Sequence, residues 1–317
     1  MRAVRCSEGC VQVVDVPEPS GDGIAVRIRS AGICGSDLHM IAGGFPIAHT
    51  LGHEMAGELS DGTAVAIEPL APCGTCDFCT TGDYNLCRTG PKIIMGVGRD
   101  GGMAQEIRVP QRCLVPLPAG IDVRDACLIE PLAVAACGLE RVRSNAPSTA
   151  LVVGGGTIGL CAVAVASAGG LTVSLDARHE PQREAGQRLG AVGVGGSGAA
   201  PREYDLAIDC AGTTESLAGC VESLRPGGTL LLLATYWAGL TLPSFGVTGK
   251  AISIVASSMY AQHGLVRDVD TAATILARRP EIARALITHR MPLDAAPEAF
   301  EIAARRSSGA IKVVLEP

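Results

Sequence analysis

Between Pro72 and Gly90 the chain reads PCGTCDFCTTGDYNLCRTG, which places Cys73, Cys76, Cys79 and Cys87 at the spacing C-x2-C-x2-C-x7-C. Four thiols on so short a polar stretch restrict the fold tightly, because they must converge as disulfides, as redox groups or on a metal. The first thirty residues alternate like strands (VQVVDV, IAVRIR) and lack the apolar run and small-residue cleavage site of a secretory signal. The expected compartment is therefore the reducing cytoplasm, where the thirteen cysteines do not persist as disulfides. A thioredoxin-like site uses one C-x-x-C at a strand-to-helix junction, not four thiols in a loop of Gly, Pro, Thr and Asp. Zn²⁺ accepts four thiolates in a closed tetrahedral shell. The stretch reads as a structural zinc site.

With 26 basic and 32 acidic residues the net charge is 26 − 32 = −6, and no basic block offers a nucleic-acid surface. The longest apolar run, near Ile158–Ala168, is too short to span a bilayer. Neither nucleic acid nor membrane is an expected partner. Residues 1–145 combine strand-like alternation with frequent Gly and Pro turns, an irregular antiparallel β domain. The segment 121–143 reads as helical, kinked at Pro131. After the SNAPS hinge (144–148), buried apolar strands alternate with helices, which signifies α/β with a doubly wound parallel sheet over 146–286. The tail 287–317 ends in another alternating strand and is expected to complete the first domain. The Gly- and Ala-rich run 191–201 reads as a loop.

Gly154-Gly155-Gly156-Thr157-Ile158-Gly159 fits G-x-G-x-x-G. The motif alone is weak in a chain with forty glycines, but an apolar strand precedes it, a small-residue helix follows, and Asp176 ends the next strand. Gly154, Gly156 and Gly159, with the amides of Thr157 and Ile158, would cradle a pyrophosphate at a helix N-terminus. Asp176 would bind ribose hydroxyls and repel a 2′-phosphate, which favours NAD over NADP. Arg178 is a reservation, since it could turn toward that phosphate.

A second polar cluster lies in AGICGSDLHM (31–40) and HTLGHEMAGEL (49–59), where Cys34, His53 and Glu54 supply a thiolate, an imidazole and a carboxylate. A catalytic zinc needs only three protein ligands and an open position. Glu130, in the apolar segment LIEPLAV, needs a partner for its charge, and a metal would serve.

Together with DGGMAQE, GGGTIGL, RPGG and IKVVLEP, these motifs make nearly the whole chain resemble the zinc-dependent medium-chain dehydrogenases. The resemblance implies a GroES-like catalytic domain beside a Rossmann domain, two Zn²⁺ per chain, a nicotinamide cofactor and a homodimer or homotetramer. It makes Cys34 and His53 ligands of a catalytic zinc, with Glu54 as ligand or supporting partner. Glu130 falls where alcohol dehydrogenases carry a second cysteine, a substitution of the polyol-dehydrogenase type, and is expected as a further ligand. Ser36 falls beside the substrate oxygen and His39 at the outer end of a proton relay; an ordinary serine there would serve as a helix N-cap. The implied reaction is hydride transfer between an alcohol carbon (of a polyol, cyclitol, sugar or amino alcohol) and nicotinamide. Tyr236 and Trp237, in ATYWAG, would wall the nicotinamide or substrate pocket, or pack a subunit interface. A zinc-free quinone or enone reductase has no use for Cys34, His53 or the cysteine lobe. A non-catalytic relative that kept the fold would show damage at Cys34, His53, the Gly154–Gly159 loop or Asp176, and there is none.

Overall fold

Strand Ile24–Gly32 organises the first of two compact units, Met1–Glu130 with Ala261–Pro317; the second is Pro131–Tyr260. The structure, a computed structural model, describes residues 1–195 and 203–317. The units divide at 130/131 and 260/261, where the sequence reading places changes at 145 and 286.

In the first unit, Ile24–Gly32 pairs antiparallel with Glu54–Glu58 along much of its length, with Glu106–Val109 at its start and with Lys312–Glu316 at its end. The sheet runs in the order Ile287–Pro292, Lys312–Glu316, Ile24–Gly32, Glu54–Glu58, Ala64–Ile67, Leu114–Pro116. Every pair along it is antiparallel except the first. Inward-facing residues of these strands, including Val26, Ile28, Met55, Val65, Ile67 and Leu315, form one core with Leu51 and Met103. Aliphatic and Met side chains fill the space that a chain with only 3% aromatics cannot fill with rings.

Of the segment 121–143 read as helical, the structure makes Ile129–Val142 one α-helix that runs through Pro131, with a short 3₁₀ turn at Ala126–Leu128 before it. Pro131 is its third residue, where the missing N–H would have had no helical partner anyway.

The second unit is built on six parallel strands: β1 Thr149–Val153, β2 Thr172–Asp176, β3 Gly193–Gly195, β4 Tyr204–Asp209, β5 Leu224–Leu232 and β6 Ser253–Ala256. Their order is β3-β2-β1-β4-β5-β6. β3 lies in the run 191–201 read as a loop, whose remainder from 196 is outside the described residues. Helix Thr157–Ala168 is buried from Gly159 to Ala166, so its sequence is apolar on all sides. Helix Thr214–Ser223 starts with a reciprocal cap: Ser216 N donates to Thr213 Oγ1 at 3.1 Å and Thr213 N to Ser216 Oγ at 3.0 Å. No helix among the described residues is long and apolar enough to cross a membrane.

Candidate active site and metal centres

The four lobe cysteines come together, with sulfurs all within 4.8 Å of one another. Cys73 and Cys79 are 3.8 Å apart and Cys76 and Cys79 3.4 Å. Disulfides need about 2.05 Å, and all thirteen cysteines are free. Four sulfurs at about 2.3 Å from one ion stand about 3.8 Å apart, so the lobe fits tetrahedral zinc. Its backbone also favours thiolate: amide groups of Thr75 and Cys76 hold the Cys73 thiol down to about 5, while burial and the adjoining Cys76 sulfur push Cys79 up to about 12. Sulfurs this close cannot all carry charge without a cation among them.

The lobe is anchored by a residue that its cysteine spacing does not reveal. Tyr84, between the third and fourth cysteines, is buried and donates its hydroxyl to Ala261 O at 3.1 Å. The Arg112 guanidinium lies 4.9 Å over its ring. Arg112 and Arg267 both reach Glu68 Oε2, at 3.5 and 3.0 Å. Glu68 is fully buried; burial raises its carboxyl and the two arginines oppose the shift.

The second cluster is set by the start of helix Gly35–Ala42. Its N-cap is Cys34, not Ser36, and the Cys34 amide donates to Asp37 Oδ2 at 3.0 Å. Asp37 is wholly buried and turns Oδ1 toward His53 Nδ1, 3.4 Å away. His53 Nε2 stands 3.4 Å from Ser36 Oγ. Burial alone would lower the His53 imidazole pKa, but the Asp37 and Cys34 charges raise it well above the usual histidine value. A carboxylate against Nδ1 holds the ring in the tautomer that frees Nε2 as a metal donor. Cys34, His53 and Glu54 offer ligand atoms within 4.8 Å of one another, and this soft-and-borderline donor set fits zinc.

Glu54 is already engaged. Lys312 Nζ donates to both its oxygens, at 2.7 and 2.6 Å, and to Ile33 O at 2.9 Å. Both side chains are 1% exposed. Burial would lower the lysine pKa; the Glu54 charge overrides it and raises the value. Lys312 thus ties the segment carrying Cys34 to the one carrying His53. Neither Lys312 nor Asp37 was singled out from the sequence. A lysine inside the apolar strand IKVVLE carried the same signal that drew attention to Glu130: a buried charge requires a partner. Glu130 itself stands in the first turn of helix Ile129–Val142 and is not part of the converging group. His39 is exposed in the last turn of its helix.

In the second unit the glycine loop is shaped as its motif requires. A Cβ on Gly159 would lie 1.8 Å from Gly154 O, and one on Gly154, at φ +109°, 3.0 Å from Ala211 N. Gly156, the N-cap of the following helix, faces open space. Two glycines therefore serve packing, and the third leaves room for a ligand to approach the backbone. Asp176 ends β2 half-buried, its carboxyl raised by burial; Arg178 is exposed.

Comparison with known proteins agrees with both halves. The family described as "Alcohol dehydrogenase GroES-like domain" matches residues 20–119, and "Glucose dehydrogenase C-terminus" matches 123–316. Galactitol 1-phosphate 5-dehydrogenase of Escherichia coli (strain K12) is 31% identical, over 99% of each chain. Sorbitol dehydrogenase of Halalkalibacterium halodurans is 30% identical, over 97% of this chain and 95% of its own. A crystal structure of a zinc-binding dehydrogenase from Sinorhizobium meliloti 1021 bound to NADP covers 100% of this chain and 99% of its own, at 29% identity and a TM-score of 0.85. The chain belongs to the zinc-dependent medium-chain dehydrogenase superfamily. It is an oxidoreductase acting on the CH–OH group of an alcohol.

Proposed function

We propose that the protein oxidises a polyol or polyol phosphate with NAD⁺, and catalyses the reverse reduction. The observation that carries this reading is the pair of half-buried Cys34 and buried His53, with Asp37 behind the imidazole and Ser36 in front of it. Bound zinc would supply the Lewis acidity that lowers an alcohol's pKa, and NAD⁺ would accept the hydride. The chain's own residues do the rest. Cys34 and His53 would hold the metal, and Lys312 fixes the Glu54 carboxylate in position beside them. Glu130 is the candidate for a further ligand. Ser36 Oγ, 3.4 Å from His53 Nε2, would take the substrate proton, and His39, exposed on the same helix, would pass it to solvent. Gly156 and the amides of Thr157 and Ile158 would receive the pyrophosphate. Asp176 favours the unphosphorylated ribose, although Arg178 is close in sequence. The sorbitol and galactitol-phosphate enzymes among the relatives support a polyol substrate.

The proposed assembly is a homodimer or homotetramer. β6 is an edge strand whose Ile254 is 40% exposed, and Phe245 nearby in sequence is 89% exposed. Thirteen free cysteines support a cytoplasmic setting.

The test is zinc content per chain together with NADH formation across polyols, polyol phosphates, amino alcohols and simple alcohols. Two zincs with turnover confined to the first two classes is the expected result. One zinc, unaffected by Cys34→Ala and accompanied by no turnover, overturns the reading.

A further inference from the structure

Two pieces of the first unit are too slight to hold their own shape. In the cysteine lobe, helix Asp77–Thr81 buries none of its residues, and from Cys73 to Cys87 only Tyr84 and Cys87 are buried. Much later in the chain, Gln262–His263 pairs antiparallel with Val266–Arg267, a sheet of two strands and two residue pairs. Its tip carries Leu265, 97% exposed. A lone hairpin of this size is at best marginal in water.

The two pieces brace each other. Gln262 N donates to Gly82 O at 3.0 Å. A Cβ on Gly82, at φ +97°, would lie 2.5 Å from Gln262 O, so the approach requires glycine. Just before the hairpin, Ala261 O accepts the Tyr84 hydroxyl. At its far end, Arg267 donates to Arg112 O at 2.8 Å and to Glu68, while the Arg112 guanidinium covers the Tyr84 ring. Both ends of the hairpin therefore bear on Tyr84, one directly and one through Arg112. Four thiolates within 4.8 Å repel one another until a cation joins them, so the lobe takes this shape around a metal. Whatever orders the lobe presents Gly82 O and Tyr84 to the hairpin, and whatever seats the hairpin favours the metal-holding shape of the lobe.

We propose that the cysteine lobe is a metal-dependent clamp on residues 261–267, with Tyr84 as the link. Zinc held by the four cysteines steadies the hairpin, and the seated hairpin tightens the hold on zinc. Linkage makes the two effects equal: the factor by which docking raises zinc affinity is the factor by which zinc favours docking. This rests on the reading that the lobe holds zinc, and it assigns the lobe a task at a segment that its cysteine spacing does not reveal.

The experiment uses full-length zinc-loaded protein and its Tyr84→Phe and Cys76→Ser variants. Zinc affinity is read by competition with a chelator, the lobe site being the one that Cys76→Ser lacks, and hydrogen exchange is followed by mass spectrometry. Tyr84→Phe keeps the ring beneath Arg112 and takes the hydroxyl bond from Ala261 O. Lobe affinity for zinc should then fall about tenfold, with the Cys34–His53 zinc unchanged within about twofold. In Cys76→Ser, residues 262–267 should lose exchange protection while strand Ile24–Gly32 keeps its own. Unchanged lobe affinity in Tyr84→Phe, or unchanged exchange of 262–267 in Cys76→Ser, overturns the inference. A rise in exchange that is equal along Ile24–Gly32 marks general unfolding and overturns it as well. Wild-type protein without zinc at the lobe overturns this inference and the zinc reading of the lobe together. Wild-type protein with two zincs and no such link overturns the inference alone.

Discussion

Replacing Lys312 with methionine tests whether the Lys312–Glu54 pair supports the site. Methionine occupies a similar volume, so the change removes one charge and three hydrogen bonds while leaving little cavity. Glu54, 1% exposed, would then be a buried carboxylate without its cation. Breaking a buried pair on one side costs about 3–5 kcal/mol. A separate bound comes from protonation. A stranded carboxylate can take up a proton; for a glutamate titrating near 4.3 when unfolded, that costs about 1.36 kcal/mol per pH unit, or about 3.7 kcal/mol at pH 7. The Ile33 carbonyl, left without its donor, adds about 1 kcal/mol. The second route, with the carbonyl included, comes to about 4.7 kcal/mol at neutral pH, inside the range of about 3–5 kcal/mol from the first. The second also fixes a sign. The folded variant holds a proton that its unfolded chain releases above pH 4.3, so its stability falls as pH rises. The deficit relative to wild type should therefore shrink by about 1.4 kcal/mol from pH 7 to pH 6. Urea unfolding of metal-free protein at both pH values measures this, since a zinc ion beside Glu54 would itself hold the carboxylate ionised. A loss below about 1 kcal/mol, or one that ignores pH, would refute the argument that the pair is a buried charge interaction.

Cys76→Ser should remove one zinc per chain by metal analysis and lower the melting temperature, while Cys34 and His53 retain theirs. Gly159→Ala should fail to give folded protein, since its Cβ would overlap Gly154 O. Gly156→Ala, facing open space, should keep the melting temperature and lose dinucleotide affinity, as read by NADH titration. Asp205 accepts from Ser148 and Thr149 and is paired with Arg225, and these contacts hold its carboxyl well below the usual range. A depressed carboxyl stabilises the fold above its unfolded pKa of about 3.9 and loses that contribution as pH falls. Asp205→Asn should therefore cost about 1–2 kcal/mol at pH 7, the lower figure allowing for solvent screening, and urea midpoints of the two proteins should converge below about pH 4.

What was legible in the sequence follows the distance over which each interaction acts. The cysteine lobe, the glycine loop and the alternation of β1 to β6 with helices are local patterns whose spacing carries their geometry. Cys34 and His53 were legible through local motifs. The groups that hold them were harder to see. Asp37 looks like any helix residue until Cys34 is known to be the N-cap, whereupon its place three residues on becomes a reciprocal cap. Lys312 pairs with a residue 258 positions away, and no periodicity reports that. Tyr84 and Glu68 are ordinary residues of a loop and of a strand's end until Arg267 arrives from the far end of the chain. Pro131 marks the first turn of its helix, a place the sequence does not reveal while the helix start is unknown. Glu130 was singled out by a valid argument about buried charge, and the same argument applied to Lys312 would have found the lysine.

The interruption of the first unit by the second has a consequence for how the protein is made. Residues 131–260 are contiguous, so that unit can close as soon as its own strands have left the ribosome. The first unit cannot. The carboxylate at Glu54 emerges some 258 residues ahead of its lysine, and Tyr84 emerges 177 residues ahead of the carbonyl that receives its hydroxyl. Until then the Cys34–His53 segment waits in water and the lobe lacks its Tyr84 anchor, both tethered through a neighbour that has already folded. That folded neighbour shortens the effective loop, lowering the entropic cost of closing it. Metal capture at the lobe is local and can come early, whereas the Cys34–His53 centre gains its support only when the strand carrying Lys312 adds to the sheet. Pulse-labelling of thiols on stalled chains would show this order directly, with Cys73–Cys87 protected before Cys34.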